Sequence, residues 1–147
     1  MSDDPTLIVT DTATICIFDV TAMAHRKHDV GDWWSLWQNR EVEIKRGNAL
    51  FLNVNDDGAY RVETTQRNDS DLPGYCLATP SGLVFIGPGE DMSGGGFEPD
   101  GKWAGFFVSV SAPYQKVSIS RDGDTVSVNF QASDALENEA VESIRLS

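Results

Sequence analysis

The stretch Val117-Ser-Ile-Ser-Arg-Asp-Gly-Asp-Thr-Val-Ser-Val-Asn-Phe130 decides the fold class of this chain. Apolar side chains alternate with polar ones on both sides of Asp122-Gly123. This period of two is typical of strands with one buried face, and an Asp-Gly pair supplies the positive φ angles that a tight hairpin needs. The stretch therefore predicts a β-hairpin.

Comparable runs occur along the whole chain, separated by turn residues. Asn55-Asp-Asp-Gly58 is a second turn signal, and it predicts another hairpin. The tail at residues 134–147 predicts either a short C-terminal helix or a last strand. The runs predicted as strands are residues 7–9, 14–18, 41–45, 49–54, 60–65, 75–78, 83–86, 105–110, 116–120 and 125–131. We therefore expect an all-β fold in a single domain of residues 1–147, built as an antiparallel β-sandwich or a partly closed barrel of about nine or ten strands.

Composition and charge narrow the classes of partner. The chain has 147 residues with 11 Lys and Arg against 23 Asp and Glu, which gives a net charge of −12. Such a surface repels nucleic acid and anionic lipid and attracts basic proteins or cations. No run approaches the about 18 consecutive apolar residues of a spanning helix, and the first residues lack the order of a signal peptide. We expect a cytoplasmic protein that binds neither nucleic acid nor membrane.

A first long irregular segment, Ala24-His-Arg-Lys-His-Asp-Val-Gly-Asp-Trp-Trp-Ser-Leu-Trp37, holds both histidines of the chain. His25 and His28 with two nearby aspartates resemble a set of nitrogen and oxygen metal ligands, but two adjacent basic residues disfavour a cation there. We predict no metal. Clustered tryptophans are typical of interface anchors and of sugar-stacking sites, and core packing is the alternative. The residues assigned to partner binding here are Asp29, Asp32, Trp33, Trp34 and Trp37.

A second irregular segment runs from Gly87 to Trp103 and contains the run Gly94-Gly-Gly96. It lacks the following Lys and Ser or Thr of a phosphate loop, and its acidic side chains disfavour an anion. We interpret it as a broad connection or a partner-binding loop. The acidic residues assigned to partner binding here are Glu90, Asp91, Glu98 and Asp100.

No constellation for catalysis is recognisable. The chain has no Gly-x-Ser-x-Gly elbow, and Cys16 and Cys76 each lie in an apolar run, which predicts buried free thiols and leaves a single disulfide as the alternative. We expect no catalytic residues and no cofactor, so the chain is predicted not to be an enzyme.

Three stretches resemble a family of short acidic bacterial proteins, some of which are encoded beside secreted toxins. They are Ile15-Cys-Ile-Phe-Asp19, the segment from His25 to Trp34, and Phe85-Ile-Gly-Pro-Gly-Glu90 with the Gly94-Gly-Gly-Phe-Glu-Pro-Asp100 that follows. The resemblance covers roughly residues 12–120 and transfers no catalytic residues. It implies a cytosolic immunity protein that neutralises a basic toxin domain by occluding it. The alternatives are a carbohydrate- or small-molecule-binding β domain and a metal-dependent small β-barrel enzyme using His25 and His28.

Overall fold

Two five-stranded β-sheets pack face to face, and one short helix accompanies them. The computed structural model describes residues 6–10, 13–19, 21–22, 37–67, 74–88, 105–133 and 144–145. The strands are β1 Thr6–Thr10, β2 Thr14–Asp19, β3 Ala49–Asn53, β4 Gly58–Thr65, β5 Tyr75–Ala78, β6 Leu83–Pro88, β7 Phe106–Ser109, β8 Tyr114–Asp122, β9 Thr125–Ala132 and β10 Ile144–Arg145, and helix α1 is Trp37–Lys45. The first sheet has the order β1-β4-β9-β8-β5 and the second β10-β3-β2-β6-β7. The predicted all-β sandwich is confirmed, and the described strands do not form a closed barrel.

The hairpin predicted from the opening stretch forms as β8 and β9. Asp122 lies opposite Thr125, which leaves Gly123 and Asp124 as a two-residue turn. Gly123 has a φ of +62°, in the left-handed region that glycine enters without steric cost. The alternating apolar side chains face the core, where Val117, Val126, Val128 and Phe130 are buried.

The two sheets differ in how many faces they bury. Residues 15–19 of β2, 49–52 of β3 and 84–88 of β6 are all buried, so the middle of the second sheet is buried on both faces. In β4 of the first sheet, Tyr60 and Val62 are buried on one face, whereas Ala59 and Arg61 are exposed on the other. Since burial contributes roughly 25 cal/mol per Å² of apolar surface, the doubly buried strands β2, β3 and β6 contribute more stability per residue than β4.

The prediction of a strand at residues 41–45 is wrong, because these residues belong to α1. Their alternation of apolar and charged side chains favoured a strand, but the chain ends a helix here with a Schellman motif. The Gly47 N–H donates to the Ile44 carbonyl at 3.0 Å, and the Asn48 N–H donates to the Glu43 carbonyl at 2.9 Å. Gly47 has a φ of +74°, and the Asn48 side chain donates to the buried Glu43 carboxylate at 3.0 Å. The glycine after a basic last turn was the stop signal for a helix.

The turn at Asn55-Asp-Asp-Gly58 forms, but the prediction that it closes a hairpin is wrong. It joins β3 of the second sheet to β4 of the first and so carries the chain across the sandwich. The Tyr60 hydroxyl donates to the Asp56 carbonyl at 2.6 Å, and Arg121 donates to the Val54 carbonyl at 2.7 Å. The Arg121 guanidinium also lies 5.2 Å from the centre of the Tyr60 ring. The Arg121 contact comes from β8, which is distant in sequence, so turn residues alone could not distinguish a hairpin from a crossing.

The C-terminal alternative is resolved in part. Ile144 and Arg145 pair with Leu52 and Asn53 of β3 in a parallel arrangement, so the last strand is confirmed. Residues 134–143 lie outside the described residues, and a helix there stays a prediction.

An aromatic row crosses the second sheet and depends on glycine at its edge. The Phe85 ring centre lies 5.5 Å from that of Phe18 and 5.2 Å from that of Phe107. A Cβ added at Gly105 would lie 2.5 Å from the Phe85 ring and closer still to the Ile86 carbonyl oxygen. Glycine at this position therefore provides the space that the ring occupies.

We predict that Gly105→Ala lowers the free energy of unfolding by about 1–3 kcal/mol, the usual range for overpacking against a rigid neighbour. Urea denaturation measures the change. Gly123→Asn is the matched control, because nothing lies within 4 Å of a Cβ there and asparagine tolerates the left-handed conformation. Equal stability of the two variants would contradict the packing described for Phe85.

Candidate functional site

The residues predicted to bind a partner fall almost wholly outside the described part of the chain. Trp37 is the first residue of α1. The eight others lie outside the described residues: Asp29, Asp32, Trp33, Trp34, Glu90, Asp91, Glu98 and Asp100. The histidines weighed as metal ligands, His25 and His28, lie outside them as well. The roles assigned to these side chains therefore stay predictions.

The structure does show where the two long segments leave the sheet. Asp19, the last residue of β2, lies opposite Val84, and Ile15 lies opposite Pro88, the last residue of β6. Four residue steps of about 3.4 Å separate these two exits, or about 14 Å along the strands. The two long segments thus leave the β2–β6 pair at opposite ends of the second sheet.

Charge is distributed unequally between the described residues and the rest of the chain. The described residues hold eight Asp or Glu and eight Lys or Arg, and so carry no net formal charge. The remaining residues hold fifteen acidic and three basic side chains, which is the entire net charge of −12. The described residues therefore do not contribute to the acidic excess that sequence analysis assigned to the whole surface.

Asp19 is the most deeply embedded carboxylate beside these segments. It is fully buried. Its Oδ1 accepts the Thr21 N–H at 2.8 Å, and its Oδ2 accepts the N–H groups of Ser81 and Gly82 at 3.0 and 3.1 Å. The Ser81 hydroxyl donates to the same carboxylate, at 2.9 and 2.8 Å from its two oxygens. A carboxylate offers about four acceptor positions, and these four donors fill them. The hydrogen bonds hold the turn at residues 81–82 against the end of β2.

Two turns next to Asp19 form a shallow cleft. Residues 79–82 lead from the first sheet to the second, and residues 110–113 lead back. The Thr79 N–H donates to the Pro113 carbonyl at 2.7 Å, and the Val110 N–H donates to the Gly82 carbonyl at 2.8 Å. The cleft between the turns has a volume of about 280 Å³, slightly below the range typical of small-molecule sites. Its backbone polar groups bind one another, which indicates a structural clasp between the sheets.

The polar outer face of the first sheet is also internally bonded. The Ser127 hydroxyl donates to the Glu63 carboxylate at 2.6 Å. The Asn129 side-chain oxygen accepts the Thr65 hydroxyl at 2.7 Å and the Arg67 N–H at 2.8 Å, and its amide donates to the Arg67 carbonyl at 3.0 Å. These polar side chains hold the chain that leaves β4 against β9.

The cysteines are both buried and neither forms a disulfide, as predicted. The Cys16 thiol donates to the Gly87 carbonyl at 3.4 Å inside the second sheet, and Cys76 lies in β5 of the first. Within the described ranges, no group of three His, Cys, Asp or Glu side chains is placed to hold a metal ion. No helix in those ranges is both long and apolar enough to cross a membrane.

Comparison with known proteins places the chain in a family. Residues 2–146 match the family of unknown function DUF6386. The chain belongs to DUF6386. No curated protein and no solved structure matches it significantly. For this DUF6386 protein, the sequence resemblance to a family of unknown function is thus confirmed, whereas its association with toxins stays a prediction.

Sequence analysis missed two features of this DUF6386 chain. The first is the set of hydrogen bonds from Thr21, Ser81 and Gly82 to Asp19, which we call the Asp19 clasp. Its weak sequence signal was an aspartate at the end of an apolar strand. Asp19 was part of the resemblance, but no role was assigned to it. The second feature is the exposed apolar face of β1, a strand that was itself predicted; its Leu7 and Val9 are 58% and 51% exposed. Apolar residues at consecutive positions instead of alternate ones were the signal that this strand has two apolar faces.

We predict that Asp19→Asn destabilises the protein by about 2–4 kcal/mol, because an amide nitrogen would face backbone donors and leave buried N–H groups without an acceptor. Chemical denaturation measures the loss. Asp57→Asn, in an exposed turn, removes the same charge and should change stability by less than about 0.5 kcal/mol. If both variants lost stability equally, the Asp19 clasp would not be the cause.

Proposed function

We propose that this chain is a non-enzymatic protein-binding domain, and that in its specific form it is a cytosolic immunity protein that neutralises a bacterial toxin by occluding it. The observation that carries the proposal is the separation of charge. A sandwich with no net charge in its described part bears connecting segments and ends with a net charge of −12. We interpret the sandwich as the support and the acidic segments as the contact surface.

The physical mechanism is electrostatic attraction followed by anchoring. A concentrated negative field steers a basic partner and raises the association rate, and salt weakens that effect. Aromatic side chains that become buried on binding supply much of the affinity in protein interfaces. We assign the anchoring to Trp33, Trp34 and Trp37, and the charge contacts to Asp29 and Asp32. The second charged patch comprises Glu90, Asp91, Glu98 and Asp100.

The polar groups of the described core support a binding function over a catalytic one. The four acceptor positions of Asp19 are filled by donors from the chain itself. Both thiols are buried, so neither is presented to a substrate. Catalytic carboxylates and thiols need access to the reacting atoms. These groups stabilise the sandwich, and we assign partner binding to the acidic segments.

The toxin form of the proposal rests on the sequence resemblance, and the alternatives make different demands. A carbohydrate-binding domain would use the tryptophans for stacking and the acids for hydroxyl groups. A metal-dependent enzyme would need His25 and His28 as ligands. The distribution of charge favours a basic protein over a sugar or a metal ion as the ligand. The residues outside the described ranges hold fifteen acidic and three basic side chains, and neither a sugar nor one metal ion needs so large an acidic excess.

We predict that a protein partner captured from native lysate is retained at low salt and lost at raised salt. With that partner purified, titration compares two variants that each lose four negative charges. The first changes Glu90, Asp91, Glu98 and Asp100 to the matching amides. The second, the control, changes the exposed turn residues Asp56, Asp57, Asp122 and Asp124 to asparagine.

The first variant should weaken binding at least about tenfold, or about 1.4 kcal/mol, and the control by less than about threefold. Equal losses would show that net charge alone matters and would contradict the assigned surface. Absence of a protein partner at both salt concentrations would favour the small-ligand alternative. Co-expression tests the toxin form: cells that make the captured partner should stop growing and should be rescued by the native chain.

A further inference from the structure

The backbone of β1 presents hydrogen-bonding groups away from its own sheet. The Arg61 N–H donates to the Asp124 carbonyl beside β9, so Arg61 directs its backbone groups away from β1. In a strand, consecutive residues direct these groups to opposite sides. Tyr60 therefore bonds toward β1, where Ile8 lies opposite it. Leu7 lies opposite Arg61, so Leu7 points to the open side of the strand.

The same argument applies to Val9, which follows Leu7 at the same side of the strand. β1 is the first strand in its sheet order, and among the described residues no backbone partner exists for Leu7 or Val9 on that side. Within the described ranges, their side chains are also the two most exposed large hydrophobic side chains, at 58% and 51%. An edge with unpaired N–H and C=O groups and exposed apolar side chains is a template for an added strand.

The sequence around β1 argues against a second copy of this chain as the added strand. Asp3 and Asp4 precede the strand and Asp11 follows it directly. In an antiparallel pair of two β1 strands, the N-terminal flank of each meets the C-terminal flank of the other, so acids would meet acids at both ends. Like charges placed opposite each other destabilise strand pairing. The same acids attract a strand with basic flanks.

We propose that the open edge of β1 binds an extended segment of the basic partner as a sixth strand of the first sheet. This inference rests on the proposed protein-binding function and names the surface through which part of that binding occurs. The backbone groups of Leu7 and Val9 pair with the segment, and Lys or Arg at its ends lies near the acidic flanks. Pro5 has no N–H, so pairing starts at Leu7.

Hydrogen exchange in the full chain tests this edge with defined probes. The probe is the peptide Lys-Lys-Thr-Val-Thr-Val-Thr-Lys-Lys, and the controls are the same peptide with Glu for Lys and with N-methylated central amides. In the free protein, the Leu7 and Val9 amides should exchange fast and the Ile8 amide slowly, because Ile8 is bonded to β4. The basic peptide, at up to about 1 mM, should slow exchange at Leu7 and Val9 at least about tenfold.

A matched pair of variants tests the backbone bond itself. Val9→Pro removes an N–H that takes no part in the sheet, so the fold should be kept while the peptide no longer binds. Val9→Thr keeps that N–H and the β-branched shape, and should bind within about twofold of the native chain. If Val9→Pro failed to fold, the N-methylated peptide, which cannot donate from its central amides, would test the same pairing.

Four results would overturn the inference. Two concern the protein alone: slow exchange of Leu7 and Val9 in the free protein, and protection that rises with protein concentration and so indicates a second copy. Two concern the peptides: equal binding of the acidic and basic peptides, and the absence of peptide binding at about 1 mM. The proposed function has a separate readout, since capture of a salt-sensitive partner that Val9→Pro still binds would keep the function and remove β1 from the interface.

Discussion

The burial of β2 on both faces is the constraint on which the rest of the structure depends. Residues 15–19 are all buried, so the strand that ends at Asp19 brings a carboxylate into the interior. An unpaired carboxylate there would be costly, and the chain meets this by turning the N–H groups of Ser81 and Gly82 toward it. That turn is also bonded to the neighbouring crossing through Val110. One buried acid thus fixes the position at which the chain twice passes between the sheets.

The formal charges are distributed unequally between the described sandwich and the remaining residues. The eight acidic and eight basic residues of the described sandwich balance, so net charge repulsion does not oppose its packing. The two long segments begin where β2 and β6 end, at opposite ends of one sheet. The sandwich therefore sets the distance between their starting points, whatever surface they present.

The strands could be predicted from sequence wherever alternation and turn chemistry agree. Nine of the ten predicted runs match strands, and the β8–β9 hairpin was correct because Asp122-Gly123 and the flanking pattern give the same answer. The strand prediction for residues 41–45 failed because their alternation is compatible with a strand, whereas the glycine at position 47 signals the end of a helix. The hydrogen bonds from Gly47 to Ile44 and from Asn48 to Glu43 form that helix end. The hairpin prediction at residues 55–58 failed because β3 and β4 pair with strands of different sheets, and those pairings are distant in sequence. For the candidate site, composition revealed the acidic excess, but that the described strands, helix and turns carry no net charge emerged only with the fold.

The exposed edge of β1 is best understood from what protects it. Edge strands of soluble proteins are usually shielded by charge or proline, since an apolar edge pairs with its own copies. β1 follows Pro5 and is flanked by Asp4 and Asp11, which is protection against self-association. Acidic protection is selective, however, because it repels acidic strands and attracts basic ones. With Leu7 and Val9 exposed between acids, the proposed pairing of β1 thus favours a strand of opposite charge over a second copy of this chain.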